Sequence, residues 1–339
     1  MHTPEHGHGV VRRSHFEPSW WARNRHIQTI WPRFFQKRRP VSYTWQRINT
    51  PDDDFLDLAW GPEPQNMQGM VVMFHGLEGS IRSHYANDMM AALSEQGWQV
   101  VMMHFRSCSG EVNRQPRAYH SGETEDPAFF LDWLDKRFPD VPKVAIGFSL
   151  GGNMLLKLLG ENPGQKWLQA AMAVSAPVKL DACSDSIGEG FSKVYQNYLL
   201  KSMKTTLTSK MRKLDYRDLL SLTVEQAGKL ASFREFDEKV TAPLHGFKDA
   251  QDYYEKCSAY PFLSAIHCPT LIVHSLDDPF MSPSIVPDAT ALSRNVTLEL
   301  SEFGGHVGFM QGGFLRPVVW LQQRAVDYFS EFLPVRPAK

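Results

Sequence analysis

Residues 147–151 read Gly-Phe-Ser-Leu-Gly, placed between the apolar run Lys143 to Ile146 and the helix-like stretch Asn153 to Leu159. A G-x-S-x-G sequence in that setting predicts a strand, a sharp turn and a helix, with the serine exposed at the tip. The glycines two before and two after Ser149 permit such a turn, because side chains there would crowd the neighbouring strand and helix. A serine hydroxyl is a poor nucleophile at neutral pH and needs a base within hydrogen-bond reach and donors for a developing oxyanion. This one feature constrains fold and chemistry together.

The rest of the chain alternates in the same manner. Candidate strands are Tyr43 to Ile48, Phe55 to Trp60, Met70 to Phe74, Trp98 to His104, Lys143 to Gly147, Ala170 to Ser175, Thr270 to His274 and Val296 to Leu300. Helical patterns fall at Tyr85 to Gln96, Pro127 to Arg137, Asn153 to Gly160 and Val318 to Phe332. Alternation with nearly continuous apolar strands predicts a mostly parallel, eight-stranded sheet with helices on both faces. From about Val178 to Leu263 the rhythm breaks into helical stretches, such as Phe191 to Lys204 and Val224 to Phe233, without a convincing strand. The expected organisation is an N-terminal arm at 1–40, an α/β core at 41–177 and 264–335, and a helical cap inserted at 178–263. Such a cap lies over the carboxyl edge of the sheet, where open α/β folds bind ligands.

A serine nucleophile in this architecture is followed by an acid and then a histidine. After the strand at 270–274 comes Ser-Leu-Asp-Asp-Pro-Phe-Met at 275–281, and after the strand at 296–300 comes Gly-Gly-His-Val-Gly at 304–308. His306 is the expected general base. Asp278, directly before Pro279, is the preferred acid, with Asp277 as the alternative. The oxyanion donors are expected at the backbone N–H of Leu150, which follows the serine, and of Leu77 in the His-Gly-Leu-Glu-Gly loop at 75–79. A lone G-x-S-x-G or a lone histidine means little; the ordered set, each member after an apolar strand, carries the reading. Arg106, after the fourth strand, reads as a structural arginine paired with a carboxylate.

With 36 basic and 37 acidic residues, no positive excess points to nucleic acid. Cys108, Cys183, Cys257 and Cys268 form no C-x-x-C pair, so reduced thiols and no disulfide framework are expected, and Cys108 is read as non-catalytic. No metal or other cofactor is expected; His2, His6 and His8 read as part of a flexible terminus. The N-terminus lacks an apolar signal region, and a cytoplasmic location is expected. The stretch Trp20 to Arg39 mixes aromatics with bases. Burial of the aromatics on the chain's own core is the common outcome, and peripheral contact with a lipid surface is the alternative. Oligomeric state is not legible.

Together, Phe-His-Gly-Leu-Glu-Gly-Ser at 74–80, His-Phe-Arg-Ser-Cys-Ser-Gly-Glu at 104–111, Tyr-His-Ser-Gly-Glu-Thr-Glu-Asp at 119–126, Gly-Phe-Ser-Leu-Gly-Gly-Asn at 147–153, Asp-Asp-Pro-Phe-Met at 277–281 and Gly-Gly-His-Val-Gly-Phe at 304–309 resemble the YheT group of α/β-hydrolases. The likeness runs from about His26 to the final helix. It implies an α/β-hydrolase fold, a triad at Ser149, Asp278 and His306, and a small-molecule carboxylic ester as substrate, with esterase or acylglycerol lipase chemistry. Ser107, where relatives often carry glycine, is the departure. An acyltransferase with the same triad, or a ligand-binding protein on an inactive hydrolase fold, are the alternatives.

Overall fold

The apolar runs at 69–74, 98–103, 143–148, 170–174 and 270–275 are buried along their whole length. A strand tolerates that only when both faces of its sheet are covered. In the computed structural model, which describes residues 7–332, these runs form the middle of one nine-stranded sheet. Its strands are β1 (Val10–Arg13), β2 (Thr44–Asn49), β3 (Phe55–Trp60), β4 (Gly69–Phe74), β5 (Trp98–Met103), β6 (Lys143–Phe148), β7 (Ala170–Val174), β8 (Thr270–Ser275) and β9 (Val296–Ser301), in the order β1-β9-β8-β7-β6-β4-β5-β3-β2. All pairs from β1 to β5 along that order are parallel, and β3 and β2 close the other edge antiparallel.

The sheet thus holds one strand more than the eight expected, and the extra one comes from the segment read as an N-terminal arm. Val10–Arg13 is exposed at all four positions, so no burial pattern marks it. Its pairing with β9, Val10 opposite Thr297 through Arg13 opposite Leu300, makes it a strand. A second difference lies near the C-terminus. The closing helix begins at Trp320 rather than Val318, because Met310–Gly313 (β10) and Arg316–Val319 (β11) pair as an antiparallel hairpin, with Met310 opposite Val319.

Two layers of helix cover the sheet. Ala86–Glu95 (α2) and Trp320–Ser330 (α11) pack Met89, Met90, Leu93, Leu321 and Phe329 against Val71, Met73 and Val100. Glu125–Arg137 (α3) and Leu150–Glu161 (α4) pack Phe130, Leu134 and Leu155 against the alternate residues Val72, Phe74 and Val101. The period of two along each strand sends successive side chains to opposite cores. Each such fully buried side chain contributes roughly 1.5–3 kcal/mol.

Before β2 stands Arg25–Phe34 (α1), started by Asn24, whose side chain accepts from the N–H groups of His26 and Ile27. Between β7 and β8 the chain runs through Leu180–Ile187 (α5), Lys193–Met211 (α6), Val224–Gly228 (α7), Phe233–Phe236 (α8), Ala242–Leu244 (α9) and Ala250–Cys257 (α10). Leu200, Leu207, Leu220, Leu230 and Phe236 give these helices a small core of their own. Among the described residues no helix is long and apolar enough to cross a membrane.

Candidate active site

Ser149 stands between β6 and α4 at φ 51°, ψ −119°, a positive-φ conformation that a non-glycine residue adopts at a cost. Three bonds hold it there: its N–H donates to Val174 O at 2.8 Å, and its own carbonyl accepts from Gly152 N at 2.9 Å and Asn153 N at 3.1 Å. The flanking glycines are required by contact. A Cβ on Gly147 would stand 2.4 Å from Gly151 O, and one on Gly151 would stand 2.6 Å from Phe74 O. The helix packs that tightly on its strands, so the turn projects the hydroxyl beyond the sheet edge.

His306 and Asp278 reach the same point from the loops after β9 and β8. His306 Nε2 is 2.9 Å from Ser149 Oγ, and His306 Nδ1 is 2.8 Å from Asp278 Oδ2. An ionised Asp278 only accepts, so Nδ1 carries the proton and Nε2 is left to accept from the serine hydroxyl. The second Asp278 oxygen accepts from Phe280 N at 2.9 Å. Asp277, the alternative acid, points elsewhere: its Oδ1 accepts from Gly305 N at 2.9 Å, and burial raises its pKa. It braces the histidine loop.

Side chains outside the expected triad hold the imidazole. The Phe280 ring lies flat on His306, with centroids 3.9 Å apart and planes 12° apart. Thr29 Oγ1, on α1, accepts from His306 N at 2.9 Å, and Ser175 Oγ accepts from Val307 N at 3.1 Å. Gly305, at φ 56°, leaves no room for a side chain, since a Cβ would meet Thr29 Oγ1 at 2.6 Å. The N-terminal helix is therefore a wall of the site.

Leu77 and Leu150, the expected oxyanion donors, both line the cavity over Ser149. Leu150 is the first residue of α4, where a helix leaves its N–H groups unpaired. The Leu77 loop is tied down by Gly76 N donating to Tyr85 Oη at 2.8 Å and Gly79 N donating to Gly76 O at 2.9 Å. Glu78, beside Leu77, accepts from Tyr119 Oη at 2.8 Å, and from Ser202 Oγ at 3.0 Å and Thr206 Oγ1 at 2.7 Å on α6. The cavity, of about 170 Å³, is walled by apolar side chains of the helical insertion, among them Ile187, Met203, Leu207, Phe236 and Val240.

Arg106 is buried and bonded to Asp126 at 2.7 Å and Asp52 at 2.7 Å, with Asp54 at 3.1 Å, so it anchors its loop. Burial pushes the Cys108 thiol well above its ordinary pKa, which disfavours the nucleophilic thiolate. His75 and His104 are held neutral by burial at pKa values of about 3 and about 4, and accept from Phe105 N and Ile81 N. His2 and His6 lie outside the described residues. Among those described, His120, Glu123 and His245 bring metal-ligand atoms within 4.8 Å of one another. Both Glu123 oxygens are taken by Arg117 Nη2 at 2.8 Å, and a guanidinium there opposes a further cation.

A serine hydroxyl, an imidazole and a carboxylate in line can carry a proton away from the hydroxyl. Comparisons with known proteins agree with the fold. The family model for the alpha/beta hydrolase fold matches residues 69–313. A protein of Escherichia coli (strain K12) whose name, YheT, carries a provisional esterase label is 46% identical over 325 residues, covering 95% of this chain and 94% of that one. The Homo sapiens phospholipase ABHD3 is 29% identical over 322 residues, 93% of this chain and 78% of that one, and a Saccharomyces cerevisiae monoacylglycerol lipase is 26% identical over 269 residues, 77% and 58%. An esterase of Pyrococcus furiosus superposes with a TM-score of 0.55 at 17% identity, over 89% of this chain and 99% of that one, and shares the fold. The chain belongs to the α/β-hydrolase family, within the YheT group.

Proposed function

We propose that the protein is a serine hydrolase that cleaves carboxylic esters through an acyl-serine intermediate. The observation that carries the reading is the unbroken line Ser149 Oγ, His306 Nε2, His306 Nδ1, Asp278 Oδ2, with bonds of 2.9 Å and 2.8 Å. Ser149 Oγ attacks the ester carbonyl carbon while its proton passes to His306 Nε2. The carbonyl oxygen takes up negative charge between the N–H groups of Leu77 and Leu150, a site whose donors are each worth about 3 kcal/mol. Collapse breaks the ester bond, and His306 gives its proton to the departing alcohol. Water then attacks the acyl-serine, His306 takes its proton, and Ser149 regains it as the acid leaves. Asp278 holds the tautomer and stabilises the imidazolium without accepting the proton.

The names of the relatives, an esterase, a phospholipase and a monoacylglycerol lipase, support ester hydrolysis. The apolar cavity wall suits an acyl chain of short or medium length. Ser149→Ala is expected to reduce turnover of p-nitrophenyl butyrate by at least about 10³-fold, with thermal stability little changed. Asp278→Asn should cost about 10⁴-fold in kcat, while Asp277→Asn acts mainly on stability. A fluorophosphonate should label the parent protein and not the Ser149 variant. Unaltered turnover in Ser149→Ala, or equal labelling of the two, removes the assignment.

A further inference from the structure

Three segments distant in sequence meet on one face of the molecule, and each presents apolar side chains to solvent. Leu315, at the tip of the β10–β11 hairpin, is 90% exposed, and Trp20 is 80% exposed. Phe34 and Phe35 at the end of α1 are also exposed, as are Phe191, just before α6, and Val194 in its first turn. Exposure of so many large apolar groups in one region marks a surface that meets something other than water.

The segments are held together rather than loosely adjacent. The Phe314 ring lies 5.6 Å from Trp21 and 5.4 Å from Trp31, and Ser19 Oγ and Trp21 Nε1 both donate to Gly312 O. On the other side, His26 Nδ1 bonds Tyr195 Oη at 2.9 Å, and Arg33 bonds Tyr198 Oη. The platform is preformed.

Its charge selects the partner. The chain has 37 acidic residues, yet none falls in 18–51, 190–211 or 310–319. Those stretches contain Arg23, Arg25, Arg33, Lys37, Arg38 and Arg316 instead. Exposed tryptophan and phenylalanine rimmed by arginine is the chemistry of a bilayer interface with anionic headgroups, where rings sit at headgroup depth and bases meet the lipid phosphates. A two-residue apolar tip projecting from a hairpin suits insertion between headgroups better than seating on a flat protein surface.

We propose that this face docks the protein onto an anionic lipid bilayer. Docking rests on this surface alone. Delivery of a lipid ester to Ser149 rests in addition on the function proposed above. The geometry connects them: Val307 to Phe309 are the residues between His306 and β10, and the Tyr195 ring lies tilted, 5.0 Å from that of Phe280, which lies on His306. The site and the platform share their walls.

The test is co-sedimentation of the full chain with phosphatidylcholine vesicles with and without phosphatidylglycerol, repeated in high salt, together with sedimentation velocity in the absence of lipid. Binding to the vesicles that contain phosphatidylglycerol, weakened by salt, is expected. The double variant Phe314→Ser, Leu315→Ser should bind at least about tenfold more weakly while its turnover of soluble p-nitrophenyl butyrate matches the parent. Ser149→Ala should bind vesicles like the parent, so loss of catalysis and loss of docking are read separately. Failure of the full chain to bind, or equal binding by the double variant, overturns the proposal. A dimer in solution that the double variant dissociates, without vesicle binding, would reassign the face to a second copy of the chain.

Discussion

Thr29 and His306 stand 277 positions apart, and the hydroxyl of one accepts from the backbone N–H of the other. The same hydroxyl donates to Arg25 O at 2.8 Å, so it links α1 to the histidine loop in both directions. Thr29→Val would strand a buried donor, at a cost of about 1–3 kcal/mol, and let the imidazole drift from Ser149. With p-nitrophenyl butyrate, kcat is expected to fall roughly tenfold to a hundredfold with little change in KM, and Thr29→Ser should restore it; a purely structural role would lower stability and leave kcat unchanged. Ser149, Asp278 and His306 were legible because each stands in a short pattern that follows its own strand. Thr29 has no such signal, and nor has the stacking of Phe280, although Phe280 lies in the D-D-P-F-M stretch at 277–281. Ser107 shows the reverse case: its φ of 67° is one that glycine adopts without steric cost and a serine does not.

At the scale of elements, apolar runs were readable where their period is local and misread where a partner decides. Val318 and Val319 continue the pattern of the closing helix, but their bonds go to β10. In the helical insertion, Asp237 turns its carboxylate to the cavity wall and accepts from Thr241 Oγ1 at 2.7 Å and Tyr254 Oη at 2.8 Å. Burial outweighs these bonds and raises its pKa from 3.8 to about 6. A raised carboxyl pKa means that the folded chain keeps a proton the unfolded chain releases, so this group's penalty is absent below pH 3.8, grows as pH rises and is complete above about 6. Asp237→Asn cannot release that proton. Calorimetric melts from pH 4 to pH 7 should show the variant gaining on the parent up to about pH 6; a constant gap would count against the assignment.

The N-terminal segment ties the whole molecule together. β1 covers the edge of β9, where Glu299, buried, is bonded by Arg12 at 2.7 Å, Ser14 at 3.0 Å and Arg324 at 3.1 Å. α1 then crosses to the histidine loop, and Gln28 Oε1 accepts from Met310 N at 2.6 Å. A variant lacking residues 1–35 exposes a sheet edge, leaves Glu299 short of partners and strips one wall from His306. We expect both a melting temperature lower by roughly 5 °C or more and loss of ester turnover, measured by calorimetry and the p-nitrophenyl assay. Retained turnover would show that the α/β core positions His306 unaided.

By itself the sequence determined the alternating order of strands and helices, the turn that projects Ser149, and the succession of an acidic loop and a histidine loop behind it. Those properties follow from side-chain period and turn chemistry within a few neighbouring residues. The tertiary structure alone decided that β1 completes the sheet, that α1 carries the hydroxyl seating His306, and that Glu78 joins the Leu77 loop to α6. Each of those depends on a bond between groups far apart along the chain, and no local window contains both partners.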